Sequence, residues 1–203
     1  MEEPVNQAGN VTDQDAILVK AFQQGDKEAF DRLVQTHQKT VFNICYRFLG
    51  DYSEANDHAQ ETFIKAFRSI CTFRFEASFS TWLYRITVNT CINRLNSKSY
   101  RQQKKLIRFE GKSGTEKGGM SFEPADPDPF PLSQLELKEK ENLIKKAIGS
   151  LPAEQKAVVV LRDIEGMPYE EIAAVTGSNL GTVKSRLARG RQLLKNMLKD
   201  YLG

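Results

Sequence analysis

The sequence holds few of the residues that build metal centres or disulfide frameworks. Its 203 residues include three cysteines and two histidines, and no Cys-x-x-Cys pair occurs. Cys45, Cys71 and Cys91 are widely spaced, and His37 and His58 do not complete a set of zinc ligands. We therefore expect reduced cysteines, no metal and no cofactor. A redox-sensing role for Cys71 is the alternative.

Long apolar runs are also missing, and we expect no signal peptide. The longest strongly apolar run is Ala157 to Leu161, far shorter than the roughly 20 residues that span a bilayer. The chain starts with the acidic tetrapeptide MEEP, which is unlike a signal peptide. Neither a Gly-rich phosphate loop nor a nucleophile–base pair is present. These features predict a cytoplasmic protein that is not an enzyme and does not insert into a membrane.

Alternating strand patterns are absent, and helical periodicity takes their place. Thr12, Asp26, Ser53 and Ser80 are the predicted caps of the helices that follow them. A short loop is predicted from Cys71 to Phe79. Apolar residues recur at helical spacing along these segments, which predicts an all-helical chain.

The predicted fold class is all-α, with two small helical domains joined by a flexible acidic linker. We expect a disordered N-terminal tail at residues 1–12, a first domain at 13–100, a linker at 101–132 and a second domain at 133–203. Glycine and proline are concentrated in the linker, which disfavours a helix there. The second domain is predicted to begin with a helix at Ser133 and to end in a helix-turn-helix.

Charge is distributed unevenly along the chain. The net charge is only +3, yet residues 61–108 hold 10 basic and 2 acidic side chains, and residues 182–203 hold 6 basic and 1 acidic. Residues 1–60 carry a net charge of −5. Two basic blocks indicate two contacts with a polyanion, whereas the acidic N-terminal part suits a protein partner.

The stretch from Tyr169 to Leu198 predicts a helix, a sharp turn and a second helix. Ala173 is small where the two helices approach each other. Gly177 follows the first helix, where a left-handed residue is favoured. Val183 anchors the second helix against the first. This pattern is typical of a DNA-binding helix-turn-helix.

The second of these helices has a basic outer face. At about 100° per residue, Ser185, Ala188 and Arg189 lie opposite the apolar face and near the end that enters a major groove. The guanidinium of Arg189 can donate two hydrogen bonds to a guanine. Lys184, Arg186 and Arg191 flank the same face. The alternative is an ordinary amphipathic helix whose basic face is solvated.

Residues 73–101 interleave aromatic and basic side chains, which suits single-stranded nucleic acid. On the helix within this block, five side chains fall within about 80° of arc. They are Trp82, Arg85, Asn89, Asn93 and Asn96. The alternative is that the aromatic rings belong to the hydrophobic core and that the asparagines are solvated.

These segments together resemble the extracytoplasmic-function group of the sigma-70 family, the bacterial transcription initiation factors. The resemblance rests on DHAQETFIKAFRSI from Asp57, FSTWLYRITVNTCINRL from Phe79, and SLPAEQKAVVVLRDIEGMPYEEIAAVTGSNLGTVKSRLARGRQLL from Ser150. It implies that the first segment binds the clamp of core RNA polymerase. The second is implied to recognise and melt the minus-10 promoter element, and the third to read the minus-35 element. The linker is expected to thread towards the RNA exit path.

The resemblance also implies residue roles. The polymerase-binding residues would be Asp57, Gln60, Glu61, Phe63 and Ile64. The minus-10 residues would be Ser69, Phe73, Trp82, Arg85, Asn89 and Asn93, with Phe73 and Asn89 holding a flipped base. At the minus-35 element, Ser185, Ala188 and Arg189 would face bases, and Thr182, Lys184, Arg186 and Arg191 would contact phosphates.

The prediction is a sigma factor that binds the clamp and flap of the large polymerase subunits and contacts promoter DNA, both duplex and single-stranded. An anti-sigma factor is an expected further partner. The alternative is a helix-turn-helix regulator that acts without core polymerase, and a third hypothesis is a module that sequesters a sigma factor. The aromatic and basic block disfavours a pure duplex reader, and the basic helix face disfavours a sequestering module.

Overall fold

A computed structural model of the chain describes the backbone of residues 7–97 and 131–202, and the side chains of residues 13–97 and 139–199. Most of the predicted linker and the first half of the predicted tail lie outside these ranges. The described residues form helices and contain no strand, and they group into two helical domains. The predicted fold class is confirmed.

The first domain contains four α-helices. They are α1 (Gln7–Gln23), α2 (Glu28–Leu49), α3 (Tyr52–Ser69) and α4 (Phe79–Asn96), with a 3-10 turn at Ile70–Thr72 between the last two. Helix α1 begins at Gln7, before the predicted cap Thr12, so residues 7–12 are helical rather than part of a tail. Residues 7–12 contain no proline, so the backbone can continue the helix to the N-terminal side of Thr12.

The starts of α2 and α3 test two of the predicted helix caps. The carboxylate of Asp26 accepts a hydrogen bond from the N–H of Glu28 at 3.0 Å, as predicted for a residue that begins α2. At α3 the predicted cap, Ser53, is wrong. Asp51 is the cap instead, and its Oδ1 accepts the N–H of Glu54 at 2.9 Å. The connection from α2 is shorter than predicted because Gly50, at φ 77°, ends that helix in one residue.

The start of α4 is also shifted from its prediction. Ser78 is the cap rather than Ser80, and its Oγ accepts the N–H of Thr81 at 3.1 Å. The same hydroxyl lies 2.7 Å from the hydroxyl of Thr81 and 3.0 Å from that of Ser80. Since Ser78 lies in extended backbone, its side chain can reach back to the first turn, whereas Ser80 is already inside the helix.

A buried hydrogen-bonded pair of polar side chains joins α1 to α2. The Nε2 of His37 lies 2.8 Å from an Oδ2 of Asp15, and the two side chains are 4% and 3% exposed. The rings of Phe79 and Tyr84 from α4 pack beside His37, with centroids 5.5 and 6.2 Å away. His37 is therefore a core residue that fixes α1 on α2.

Two of the three cysteines meet in the hydrophobic core of the first domain. The Sγ atoms of Cys45 in α2 and Cys91 in α4 are 3.7 Å apart, and both side chains are buried. The hydrogen bond to Cys45, together with burial, raises the pKa of Cys91 well above its ordinary value. The Cys91 thiol therefore remains protonated at neutral pH, while Cys71 is exposed in the 3-10 turn.

The second domain contains four further helices. They are α5 (Pro131–Ser150), α6 (Ala153–Val159, continued by a π-helical turn at Val160–Ile164), α7 (Tyr169–Thr176) and α8 (Leu180–Leu202). Helix α8 passes very close to α6 at Gly190. A Cβ at that position would lie 2.7 Å from Cγ2 of Val159, so glycine permits the approach. Gly190 thus lies on the apolar face, where the helical periodicity places it.

The two domains pack directly on each other. The ammonium group of Lys156 in α6 is buried and donates to the carbonyl of Phe48 at 3.0 Å and to that of Gly149 at 3.1 Å. Arg47 at the end of α2 pairs with Glu165 at 2.9 Å. The Lys156 cation therefore lies at the last turns of α2 and α5, where the helix dipoles favour positive charge.

Candidate nucleic-acid interface

The turn between α7 and α8 is built from backbone and side-chain caps. Gly177 adopts φ 62° and donates its N–H to the carbonyl of Ala173, which ends α7. The Oδ1 of Asn179 accepts the N–H of Thr182 at 2.7 Å and caps α8. Val183 is fully buried. The helix-turn-helix pattern is confirmed, and Asn179 is a cap that the sequence prediction did not name.

The outer face of α8 is open to solvent. Ser185, Ala188 and Arg189 are exposed near its N-terminal end, as predicted, and Lys184 is exposed beside them. Thr182 is half-buried, and its carbonyl accepts the hydroxyl of Ser185 at 3.0 Å. The predicted base-facing part of α8 therefore exposes two short side chains, Ser185 and Ala188, and the long cationic side chain of Arg189.

The flanking arginines are held by acidic neighbours within the domain. Arg186 donates to the hydroxyl of Ser178 at 2.8 Å and pairs with Glu154. Arg191 donates from two nitrogens to Asp163, at 3.1 and 2.5 Å, and these hydrogen bonds raise the pKa of Arg191. The guanidinium groups of Arg186 and Arg191 are thus fixed in orientation. A phosphate that bound either guanidinium would do so beside the carboxylate that already pairs with it.

A cavity of about 480 Å³ lies between the loop before α4 and the first turns of that helix. Three predicted minus-10 residues line it: Phe73, Trp82 and Arg85. The loop adds Thr72, Arg74 and Glu76, which were not predicted. The Phe73 and Trp82 rings lie 5.2 Å apart at an interplanar angle of 53°. The cavity therefore combines aromatic walls with two arginines, which suits an unpaired base and its phosphate.

Of the predicted residues that line the cavity, one is buried and another is hydrogen-bonded to the second domain. Phe73 is 9% exposed and packs among other aromatic rings. The guanidinium of Arg85 donates to the carbonyl of Ala174 in α7, at 3.0 Å from Nε and 2.6 Å from the second nitrogen. Ala174 also lines the cavity. The second domain consequently covers one side of this site.

The remaining predicted minus-10 residues lie outside the cavity lining. Asn89 and Asn93 are exposed further along α4. Ser69 ends α3, and its hydroxyl donates to the carbonyl of Lys65 at 2.7 Å. The structure therefore brings together Phe73, Trp82 and Arg85, and leaves the two asparagines as a separate stripe on the same helix.

The predicted polymerase-binding residues lie on α3. Asp57, Gln60, Glu61 and Ile64 are exposed, and Ile64 is 51% exposed despite its apolar side chain. Phe63 is half-buried.

Gln60 and Phe63 line a groove of about 460 Å³ between α2 and α3. Val34, Lys39 and Phe42 of α2 form its other side, and none of them was among the predicted site residues. An apolar groove beside exposed charged residues is typical of a surface that binds another protein.

Within the described parts of the chain, no group of three or more potential metal ligands is found. The helices of those same parts are all too short or too polar to cross a bilayer.

Two family models match the chain. Sigma-70 region 2 matches residues 33–101, and Sigma-70 region 4 matches residues 141–194. The first match covers most of the helices that carry the groove and the cavity, and the second covers the helix-turn-helix.

Characterised proteins are similar over almost the whole chain. The ECF RNA polymerase sigma-E factor of Haemophilus influenzae is 38% identical over 96% of this chain and 100% of its own length. The RNA polymerase sigma-H factor of Pseudomonas aeruginosa is 36% identical over 94% of this chain and 96% of its own.

Solved structures share the fold. CnrH, in complex with the cytosolic domain of CnrY, superposes with a TM-score of 0.61 at 26% identity, covering 92% of this chain and 98% of CnrH. The sigma factor RpoE of Bartonella quintana, in complex with the anti-sigma factor NepR, gives a TM-score of 0.55 at 26% identity, covering 84% of this chain and 96% of its own. The chain belongs to the sigma-70 family, and within it to the extracytoplasmic-function sigma factors.

Proposed function

We propose that this sigma factor directs core RNA polymerase to promoters through two separate contacts, one in each domain. The observation that carries the proposal is the pairing of an exposed recognition helix with an aromatic cavity in one chain. A duplex reader needs only the first of these sites, whereas strand opening requires a place for unpaired bases. The face of α3 and its groove supply a third surface, suited to a protein partner.

Selection from a random DNA library tests this function. Bound to core polymerase, the protein is expected to enrich sequences with two separated elements. A helix-turn-helix regulator would instead enrich one duplex site to the same extent with or without polymerase, and that result would reject the proposal.

The minus-35 contact is assigned to the N-terminal half of α8. Ser185 and Ala188 leave room for bases, and Arg189 is the one predicted base-contacting residue with a charged side chain. Arginine pairs with the O6 and N7 atoms of guanine through two hydrogen bonds. Arg186 and Arg191, fixed by their carboxylate partners, are placed to contact phosphates at the groove edges.

Replacing Arg189 with alanine is expected to relax preference at one minus-35 position and to weaken binding there by about 1–3 kcal/mol. Holoenzyme binding to a set of single-base promoter variants measures this. Lys195→Ala is the matched control, because Lys195 is exposed on the same helix and lies further from the helix end that would enter the DNA major groove. Equal weakening on every variant would place Arg189 on a phosphate instead.

The minus-10 contact is assigned to the cavity and to the asparagine stripe of α4. Flipping a base out of the duplex costs a few kcal/mol, which stacking and hydrogen bonds to base edges must offset. Trp82 and Arg85 line the cavity, and Asn89 and Asn93 can donate to and accept from base edges.

Asn89→Ala is expected to reduce strand opening several-fold while leaving minus-35 binding unchanged, because only the minus-10 contact loses a hydrogen-bonding amide. Permanganate reactivity of thymines in the opened strand reports the first quantity, and binding to a duplex that holds only the minus-35 element reports the second. Thymine reactivity equal to that of the unchanged protein would argue against the role given to Asn89.

Promoter binding also requires the two domains to separate. The minus-35 and minus-10 positions are about 25 base pairs apart, or roughly 85 Å of duplex at about 3.4 Å per pair. In the structure, Ala174 of α7 instead accepts hydrogen bonds from Arg85 of α4. Residues 101–132 can span at most about 110 Å when extended, which is long enough for the separation.

The partners follow from the same surfaces. We assign core polymerase to the α3 face of Asp57, Gln60, Glu61 and Ile64, and to the groove that contains Phe63, with the clamp as the contact for the first domain and the flap for the second. An anti-sigma factor is a further proposed partner. The complexes of CnrH with CnrY and of RpoE with NepR support it, since both contain proteins similar to this chain.

A further inference from the structure

Phe75, in the loop between the 3-10 turn and α4, has an unusual backbone conformation. Its φ is 59°, and among the described residues it is the one position other than glycine with a positive φ. A bulky L-residue seldom adopts this left-handed conformation, because Cβ crowds the backbone. The side chain is nevertheless 39% exposed. Burial of the ring therefore does not explain why phenylalanine occupies this position.

The loop beneath Phe75 is firmly anchored. The Nε2 of Gln23 in α1 donates to the carbonyl of Ile70 at 2.9 Å and to that of Phe73 at 3.1 Å. Ser78 caps α4 on the other side of the loop. A ring carried by an anchored loop loses little conformational freedom when it binds a ligand.

The Phe75 ring is also oriented by its neighbours. The rings of Phe73 and Phe75 pack edge to face, with centroids 4.9 Å apart at 62°. The ammonium group of Lys20 lies over one face of the Phe75 ring, 5.6 Å from its centroid. These two contacts orient the ring and place a cation over one of its faces.

Phe75 stands at the rim of the aromatic cavity. Its two sequence neighbours, Arg74 and Glu76, both line that cavity. Phe73 was predicted, with Asn89, to hold a flipped base, but its ring is 9% exposed and packs against the rings of Phe79 and Trp82. Phe75 is thus the loop's exposed aromatic ring beside the site assigned to unpaired DNA.

We propose that Phe75 is a stacking residue for the opened promoter: its ring packs on an unpaired base of the minus-10 strand, and Lys20 contacts the adjoining phosphate. The proposal rests on the function given above and names a ligand for a residue that this function did not use. Stacking tolerates any base, because every base has a π face. Phe75 therefore stabilises the unpaired strand whatever its sequence, whereas residues inside the cavity determine which base is preferred.

The test uses holoenzyme and a fork DNA whose minus-10 strand is unpaired, with a single abasic site scanned along that strand. Unchanged protein is expected to lose roughly tenfold in affinity at one abasic position. Phe75→Ala is expected to bind the intact fork about tenfold more weakly and to show no further loss at that same position. Phe75→Trp restores both. Ile17→Ala, which removes a 66% exposed apolar side chain from α1, is expected to behave as the unchanged protein.

Phe75→Gly separates stacking from structure. Both glycine and alanine remove the ring, but glycine accepts φ 59° without strain, so Phe75→Gly is expected to be more thermally stable than Phe75→Ala and to bind the fork equally weakly. Fork affinity that recovers together with stability in Phe75→Gly would show that the ring acts only through the structure, and that result would overturn the proposal. An abasic scan with the same profile for Phe75→Ala and the unchanged protein would overturn it as well, as would an equal loss on fully duplex DNA or in binding to core polymerase, which would indicate a protein contact. Failure of the unchanged holoenzyme to prefer the fork over duplex would instead count against the proposed function.

Discussion

Replacing Asp15 with alanine is expected to lower the free energy of unfolding by about 1.5–3 kcal/mol. The carboxylate of Asp15 is buried and lies 2.8 Å from Nε2 of His37, which is buried as well. Removing one member of a buried pair leaves the other without its partner, in a site lined by the rings of Phe79 and Tyr84. Because the pair fixes α1 on α2 and lies beside α4, the loss affects the whole first domain.

Urea unfolding monitored by circular dichroism measures the effect. Asp13→Ala is the matched control, since Asp13 is an exposed aspartate in the same helix and is expected to change stability by less than about 0.5 kcal/mol. The double variant Asp15→Ala/His37→Ala should cost less than the two single changes together, because each alone already breaks the pair. A cost for Asp15→Ala as small as that for Asp13→Ala would show that the pair does not stabilise the fold.

Replacing Lys156 with alanine is expected to cost about 3–4 kcal/mol. The side chain is 1% exposed, and its ammonium group donates to the carbonyls of Phe48 and Gly149. Alanine would leave a cavity and would remove a donor from two carbonyl groups at the ends of α2 and α5. These helices belong to different domains, so the change is expected to weaken the contact between the domains as well as the fold.

Lys156→Met separates the loss of side-chain volume from the loss of the hydrogen bonds. Methionine keeps most of the side-chain volume but donates no hydrogen bond, so about half of the loss is expected to remain. Lys195→Ala, at an exposed position of α8, is the control for removing a lysine. Alanine and methionine variants as stable as the unchanged protein in urea would show that the buried ammonium group contributes nothing.

Helical periodicity in the sequence correctly predicted the features that depend on local backbone geometry. The exposed face of Ser185, Ala188 and Arg189 follows from 100° per residue, and the left-handed Gly177 follows from its place after α7. Helix starts were harder to place: Ser53 was predicted to cap α3, but Asp51, two residues earlier, is the cap in the structure. Gly50 decides between them by ending α2 abruptly, and that depends on the backbone path.

The parts that sequence could not predict depend on contacts between distant segments. Arg85 looks like a free cation on α4, yet its guanidinium reaches the carbonyl of Ala174, 89 residues later. The pairing of Asp15 with His37 likewise requires α1 and α2 to be packed first. Phe73 and Phe75 are two residues apart and chemically alike, and only the folded loop shows that the first is buried and the second exposed.

We expect this chain to confer promoter selectivity on core RNA polymerase. Run-off transcription measures this with core polymerase alone, the protein alone and the two together, on a template that carries the promoter recovered from the selection. A discrete transcript is expected only when both proteins are present, and it should be lost when either promoter element is scrambled. No transcript from the complete mixture, combined with tight binding of the protein alone to the duplex, would contradict this expectation.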